Sequence, residues 1–280
     1  MLSNILIIGL GMMGGSLCKS IKNNKISKKI SALDNNKLSI KYALRNNLID
    51  YEVTDLKMMQ HPDMIVLCTP LSSYPAVINK LVKAINKKTL ITDIGSSKGA
   101  IHNRIIKLTK DTNLSFISSH PMAGSEKSGV QHHRVNMFKN KVVFIIDNDT
   151  STKANYLKLK KFWKLMGTTT HDIDSKTHDL LMSQTSHIAH LMSYIFIESL
   201  PQSIINKNLQ LLLGGGIKEH VRLSKSDSQM WTDIFINNKK NILNSLTRIQ
   251  KSTTTMKKIL QSDNKDKINA FLENIQIKTK

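Results

Sequence analysis

Residues 115–130 read SFISSHPMAGSEKSGV. An apolar, strand-like run meets His120-Pro121, and serine, glutamate, Gly124 and Gly129 crowd the positions that follow. An imidazole with an ordinary pKa near 6.5 can take a proton from a hydroxyl as hydride leaves the same carbon. His120 is therefore a candidate base. A hydride acceptor would have to lie beside it, and the N-terminus, ILIIGLGMMGGSL, has the residues to hold one. Gly9 permits a tight turn after a strand, Gly11 lets a pyrophosphate approach the backbone, and Gly14 allows helix and strand to pack closely. The phosphates would meet the free N–H groups of that helix, so Met12 and Met13 count with the glycines as cofactor contacts. Asp34 ends the next β-branched run, where a carboxylate accepts the ribose hydroxyls of NAD and repels the extra phosphate of NADP. The runs VLCTPL, ending at Thr69-Pro70, and ITDIGSSKG, from Asp93 to Lys98, end on the same crevice. Ser96 there can bond near the nicotinamide, cap a helix, or do both.

The elements that must position these groups alternate. Strand patterns cover Asn4–Gly9, Lys29–Asp34, Met64–Cys68, Thr89–Asp93, Leu114–Ser118 and Lys141–Ile146, most of them almost continuously apolar, as strands buried on both faces are. Helical patterns fit between them at Met13–Asn23, Asn36–Asn46, Tyr74–Ala84 and Ala100–Lys107, which predicts a doubly wound α/β domain of the Rossmann type. His120 is expected at the C-terminal end of a strand of that sheet. After the polar joint DNDTST, in which Thr150 to Thr152 can cap a helix, come a helix at Lys153–Met166 and a short run near Thr168–Asp172. From Asp174 onward the pattern is helical, over Ser175–Glu198, Gln202–Leu213, Asp227–Lys251 and Ser252–Glu273. The expected division is a dinucleotide-binding domain over 1–172 and an all-α domain over 173–280 that binds substrate and forms a homodimer.

Composition narrows the field. The 280 residues carry a formal charge of +21, but of 41 basic residues only five are arginine, and the lysines are scattered. Bidentate readout of bases or phosphates favours clustered arginine, so no nucleic-acid partner is expected. The positive field suits a small polyanionic substrate instead. No apolar run approaches the ~18 residues of a membrane helix, and the first residues enter a strand pattern with no room for a cleavable signal. Two well-separated cysteines among apolar neighbours, Cys18 and Cys68, fit reduced thiols in the cytoplasm. His187 and His190 share a helix side, but no carboxylate or cysteine stands at metal spacing, so no metal is expected. Gly214 to Gly216 read as a helix terminus or as backbone that approaches substrate, and Trp231 as core or ligand contact. His132 and His133 have no assigned role.

Taken together, GLGMMGGSL, DIGSSKG and HPMAGSEKSGV resemble the prephenate dehydrogenase family, which includes arogenate dehydrogenase. The likeness continues through SQTSHIAHLMS and GGGIKEHVRLSKSDSQMWTDIFINNK to the closing helices, and it leaves no room for a fused mutase or regulatory domain. It implies NAD-dependent oxidative decarboxylation of prephenate to 4-hydroxyphenylpyruvate in tyrosine biosynthesis. It further implies that His120 accepts the ring hydroxyl's proton, Ser96 orients that hydroxyl, and Arg222 holds a substrate carboxylate. His190 would line the substrate pocket and Glu126 would gate it through an ion pair, while Gly215 and Trp231 remain candidate substrate contacts read from the residues alone. His187 would steady the domain interface or the cofactor, or fill the core. Arogenate in place of prephenate is the near alternative. A β-hydroxyacid dehydrogenase or imine reductase of the same architecture would lack the His-Pro-Met-Ala-Gly loop, and fold alone would not separate them.

Overall fold

The structure is a computed structural model that describes residues 1–146, 152–206 and 214–279. It opens with β1 (Leu2–Ile8), α1 (Met12–Asn23), β2 (Ser27–Leu33), α2 (Lys37–Arg45), β3 (Tyr51–Glu52) and β4 (Met64–Leu67). Next come α3 (Tyr74–Ala84), β5 (Thr89–Asp93), α4 (Gly99–Thr109) and β6 (Leu114–Phe116). The six strands form one parallel sheet in the order β3-β2-β1-β4-β5-β6, with neighbours such as Ile7↔Val66 and Ile91↔Phe116 in register. This is the doubly wound order whose direction of winding reverses between β1 and β4. Residues 4–8, 64–67 and 89–93 are buried throughout, so successive side chains feed two cores, one around Ile5, Ile7 and Trp163 and one around Leu6, Ile8 and Ile78. Local chemistry sets the helix starts. Asn36 accepts from Leu38 N and Ser39 N at the start of α2, a side-chain cap that satisfies otherwise orphaned N–H groups.

The chain then departs from a single sheet. β7 (Ser118–Pro121), β8 (Val142–Ile146) and β9 (Thr169–Asp172) form a second, three-stranded sheet, with β7 antiparallel and β9 parallel to β8. His120 therefore lies inside a strand of this second sheet, opposite Phe144. It does not extend the parallel strand, as its position after LSFIS had led us to expect. The reason is a carboxylate. After the ladder bond Ile117 N→Ile91 O, Asp93 at the end of β5 accepts from the Ser118 hydroxyl and the Ser119 N–H, while Ser119 Oγ donates back to Asp93 O at 2.7 Å. Those bonds turn the chain off the sheet. Pro121 is tolerated because β7 is an edge strand.

Beneath that turn Lys98 Nζ donates to Asp93 Oδ2 at 2.8 Å and to Ser119 O at 2.9 Å, with both charged side chains almost wholly buried. Burial pulls the lysine pKa down, and Asp93 opposes the shift. Between the second sheet's last two strands lies α5 (Lys153–Lys164), capped by Thr152, which accepts from Asn155 N; Thr150 falls outside the described residues.

Helices make up the rest: α6 (Ser175–Met182), a π-helical turn at Ser183–His187, α7 (Ile188–Glu198), α8 (Gln202–Asn206), α9 (Gly215–Ser224), α10 (Ser228–Asn237), α11 (Lys239–Gln261) and α12 (Lys265–Lys278). The helix expected over Ser175–Glu198 thus contains a π turn. The one expected over Asp227–Lys251 breaks at Asn238, whose amide donates to Asp179 O at 2.7 Å. Most of the stretch expected as helix after Asn206 falls outside the described residues.

Removing one partner of the buried pair leaves the other uncompensated. Asp93→Ala is expected to lower the free energy of unfolding by about 3–5 kcal/mol, measured by urea denaturation. The double variant Asp93→Asn/Lys98→Met, which leaves no lone charge, is expected to lose less.

Candidate active site

The glycine loop closes over the reversal point between β1 and β4. Gly9 has φ +100°, and a Cβ there would stand 2.8 Å from the Cys68 carbonyl. A Cβ on Gly14 would stand 2.1 Å from Gly9 O. Both positions exclude any side chain through the fold alone. Gly11 differs, because a Cβ there would meet nothing within 4 Å. It is the N-cap of α1 and makes no side-chain cap, so no side chain there takes up the first N–H groups of that helix. A diphosphate fits such a cradle. Met12 turns its side chain into the core and offers only its backbone, and Met13 packs against the same core. Asp34 accepts from Leu10 N and, at 2.7 Å, from Asn36 N, which fixes the carboxylate at the rim of the loop. Carboxylate oxygens have lone pairs to spare for ribose hydroxyls. Thr69 stands against Gly9 and accepts from Ser73 Oγ at 2.7 Å, and Pro70 leads into a 3-10 turn at Leu71–Ser73.

His120 lies beyond the C-terminal end of β5, held there by the bonds of Ser118 and Ser119 to Asp93. Its Nδ1 is 2.9 Å from His178 Nε2, and His178 Nδ1 is 2.9 Å from Asp179 Oδ1. Asp179 also accepts from Lys98 N at 2.8 Å and Gly99 N at 2.7 Å, so this helical-region carboxylate holds the first turn of α4. Burial pushes His120 well below the usual histidine pKa, and His178, Lys98 and His187 press the same way. His178 is pulled down by burial too, with Asp179 opposing.

A second cluster of rings centres on Trp231. His187, at the end of the π turn, is pushed down to about 4, chiefly by burial. Its Nδ1 lies 3.1 Å from the Asn238 amide nitrogen, and its ring meets Trp231 edge-on at 6.1 Å. Asn238 Oδ1 accepts from Asn241, which fixes the amide's orientation, so Nδ1 of His187 accepts and Nε2 carries the proton. Among the described residues the Trp231 indole nitrogen and the Ser97 hydroxyl are buried without a hydrogen-bond partner, and the Nε2 of His187 has only the Ser96 backbone facing the ring. His190 stacks on Trp231 with centroids 3.8 Å apart, and Arg222 in turn presses on the His190 charge.

Arg222, on the last turn of α9, gives Nε and Nη2 to Glu219 at 2.8 and 2.6 Å and faces Glu126 at 3.5 Å. The side chain is 48% exposed, so the cation is open to solvent. Glu126 is held below the usual carboxylate range first by its own backbone N–H, then by Ser125, Arg222 and Arg134.

His187 and His190 both meet Trp231, while His187 acts on His120 and Arg222 acts on His190 through charge rather than through contact. Ser96 lies in the turn between β5 and α4, where its backbone faces His187. Gly214 begins α9 and Gly215 is its first residue, and a Cβ on either would meet nothing within 4 Å. His133 bonds the Val130 carbonyl and meets Tyr42 edge-on, a structural role. Sequence reading missed Lys98, His178 and Asp179. The adjacent His-Asp in SKTHD was the one local signal. Among the described residues no group of three or more His, Cys, Asp or Glu could hold a metal ion, and no helix is long and apolar enough to cross a membrane.

Comparison with known proteins places the chain by family and fold. The family model of the prephenate dehydrogenase nucleotide-binding domain matches residues 17–171, and that of the prephenate dehydrogenase dimerization domain matches residues 174–274. A prephenate dehydrogenase of Lactococcus lactis subsp. cremoris is 29% identical over 89% of this chain and 69% of its own length. A cyclohexadienyl dehydrogenase of Zymomonas mobilis is 26% identical over 84% of this chain and 80% of its own. The crystal structure of Aquifex aeolicus prephenate dehydrogenase with hydroxyphenyl propionate and NAD+ superposes with a TM-score of 0.90 at 28% identity, covering 100% of this chain and 98% of that one.

The two glycines make opposite predictions. Gly14→Ala drives a Cβ into the backbone and is expected to cost ~1–3 kcal/mol of stability. Gly11→Val is expected to leave the melting temperature near that of the unmodified protein while weakening dinucleotide binding more than tenfold, about 1.4 kcal/mol. Thermal melting and calorimetric titration with NAD check both.

Proposed function

The chain belongs to the prephenate dehydrogenase family of oxidoreductases, and from that premise we propose that it oxidises and decarboxylates prephenate to 4-hydroxyphenylpyruvate with NAD, in tyrosine biosynthesis. The observation that carries this reading is the Trp231 ring cluster, in which His187 is near enough for its charge to act on the buried His120 imidazole and His190 near enough to feel the half-exposed Arg222 guanidinium. Bound NAD would supply the hydride acceptor. Gly11 and the open end of α1 would take its pyrophosphate, and Asp34 its ribose hydroxyls. His120 would bond the ring hydroxyl and receive its proton as hydride leaves that carbon, and the ring carboxylate departs as carbon dioxide. Aromatisation drives the step, so the protein has to orient the ring rather than activate a nucleophile. Ser96 would steady the hydroxyl, His190, Gly215 and Trp231 would enclose the ring and side chain, and Arg222 would exchange a glutamate for a substrate carboxylate. Glu126 would return to Arg222 when the site empties. Arogenate is the second reading, favoured by the likeness to a cyclohexadienyl dehydrogenase.

The test offers prephenate and arogenate, each with NAD and with NADP, and follows reduced nicotinamide by absorbance. We expect turnover with prephenate and NAD; no signal in any of the four mixtures from folded protein overturns the assignment. His120→Asn should abolish turnover and leave NAD affinity intact. Arg222→Gln should mainly raise the Michaelis constant, at least tenfold, about 1.4 kcal/mol. The base works unprotonated, and its pKa is depressed by burial, so kcat should hold from neutral pH to below 6.5 and fall only as pH nears the lowered value.

The same reading assigns a homodimer to the helical region. α12 buries none of its residues within the chain yet presents Leu272, Ile275 and Ile277, and α11 leaves Leu243 and Leu260 exposed. Sedimentation at micromolar concentration should give a dimer, and a monomer would refute this assignment.

A further inference from the structure

We propose that His178 and Asp179 are positioning residues that lock the His120 ring as its Nδ1–H tautomer, so that Nε2 is the atom that takes the substrate's proton. The role of that atom rests on the function proposed above. The tautomer itself rests on a count of donors and acceptors. Asp179 accepts at both oxygens from backbone N–H groups, Lys98 N at 2.8 Å and Gly99 N at 2.7 Å. A carboxylate has no proton to give, so His178 Nδ1, 2.9 Å from Oδ1, is the donor of that bond. His178 is wholly enclosed and its pKa is lowered, so the ring is neutral and its Nε2 holds a lone pair. His120 Nδ1, 2.9 Å from that lone pair, must therefore carry a proton. A neutral imidazole has only one, so His120 Nε2 is bare. No protein group bonds Nε2 among the described residues, and it is not one of the sealed-off polar atoms.

This line also explains why a helix of the second region reaches into the first. His120 comes from β7, His178 and Asp179 from α6, and the two N–H groups on Asp179 from the start of α4. Docking α6 against α4 and setting the base's tautomer are one event. The charged and titratable groups facing His120 are His178 from α6, His187 from the π turn and Lys98 from the approach to α4. Asp93 neutralises Lys98, and Asp179 ends the imidazole line. When Nε2 gains a proton from the hydroxyl, the new positive charge meets a chain of donors that terminates on that carboxylate. The pair transfers no atom; it sets which lone pair is offered and steadies the charge that follows. A wrong tautomer presents an N–H where a lone pair is needed, and in a histidine–carboxylate couple of known mechanism that error is severe.

The experiment uses the full-length protein labelled with 15N-histidine, with His120→Asn for assignment. In the unmodified protein the His120 resonances should show a protonated Nδ1 and an imine-type Nε2. A protonated Nε2 would overturn the proposal whatever the substrate proves to be. His178→Leu removes the acceptor and should shift the tautomer toward Nε2–H. It should lower kcat by ~10²–10³-fold, the scale of a lost general base, with the substrate's Michaelis constant and NAD affinity within about threefold of the unmodified values. His178→Gln restores an acceptor oxygen and should recover part of kcat. Equal turnover in His178→Leu and the unmodified enzyme would overturn the proposal, as would a loss confined to the Michaelis constant. If His178→Leu does not fold, the tautomer in the unmodified protein decides. Absence of turnover on either substrate, with the Nδ1–H signature present, defeats the functional reading and leaves the positioning pair standing.

Discussion

The buried Lys98–Asp93 ion pair is the constraint on which the site is assembled. Withdrawing two charges from water costs several kcal/mol each, and the interior recovers that only when the remaining bonds are complete. Here they are. Asp93 gathers Lys98, Tyr74 and the Ser118 hydroxyl together with the N–H groups of Gly95 and Ser119, and Lys98 adds the Ser119 carbonyl. Satisfying the pair fixes the end of β5, the turn before α4 and the start of β7 against one another, and His120 follows Ser119 directly. The backbone of the same lysine then binds Asp179. Two carboxylates from distant parts of the chain thus meet on one residue, Asp93 at its side chain and Asp179 at its amide, and the helical region is registered on the sheet by that meeting.

Much of the first region was legible because its causes are local. Thr89–Asp93 and Tyr74–Ala84 occur with the bounds that their apolar runs predict, and the glycine loop was readable because positive φ and close backbone approach leave glycine as the residue that fits. The features that escaped have causes elsewhere in the chain. Nothing in SSHP announces a strand; Asp93 makes it one. SQTSH contains no helix breaker, yet it forms the π turn that ends on His187, and such turns gather at functional sites. The break at Asn238 answers to Asp179 and His187, about fifty residues or more away. His178 and Asp179 lay within a predicted helix, but their partners, His120 and Lys98, are separated from them by 58 and 81 residues, a distance that periodicity does not see.

The charge of the protein is divided in a way that suits an anionic substrate. The chain carries a formal charge of +21, and a net positive field concentrates anions nearby. At Arg222 that charge becomes a directed group. Arg222 already makes two bonds to Glu219 and faces Glu126, so its fork is oriented before a carboxylate arrives, and planar donors of this kind match a carboxylate in a way an ammonium does not. Glu219 and Glu126 keep the guanidinium paired in this structure.

Further in, charges are paired and imidazoles are kept neutral. His120, His178, His187 and His190 are all pushed down by burial, and Lys98 is neutralised by Asp93. An interior that keeps its imidazoles neutral agrees with the chemistry proposed. An oxidised nicotinamide is itself cationic, and an imidazolium beside it would repel the cofactor and have no lone pair for the hydroxyl proton. A neutral imidazole avoids both penalties, provided its lone pair points outward. Burial supplies the neutrality, but burial alone is indifferent to which nitrogen carries the proton. That choice requires a directional partner, which is why a second histidine backed by a carboxylate belongs behind the first.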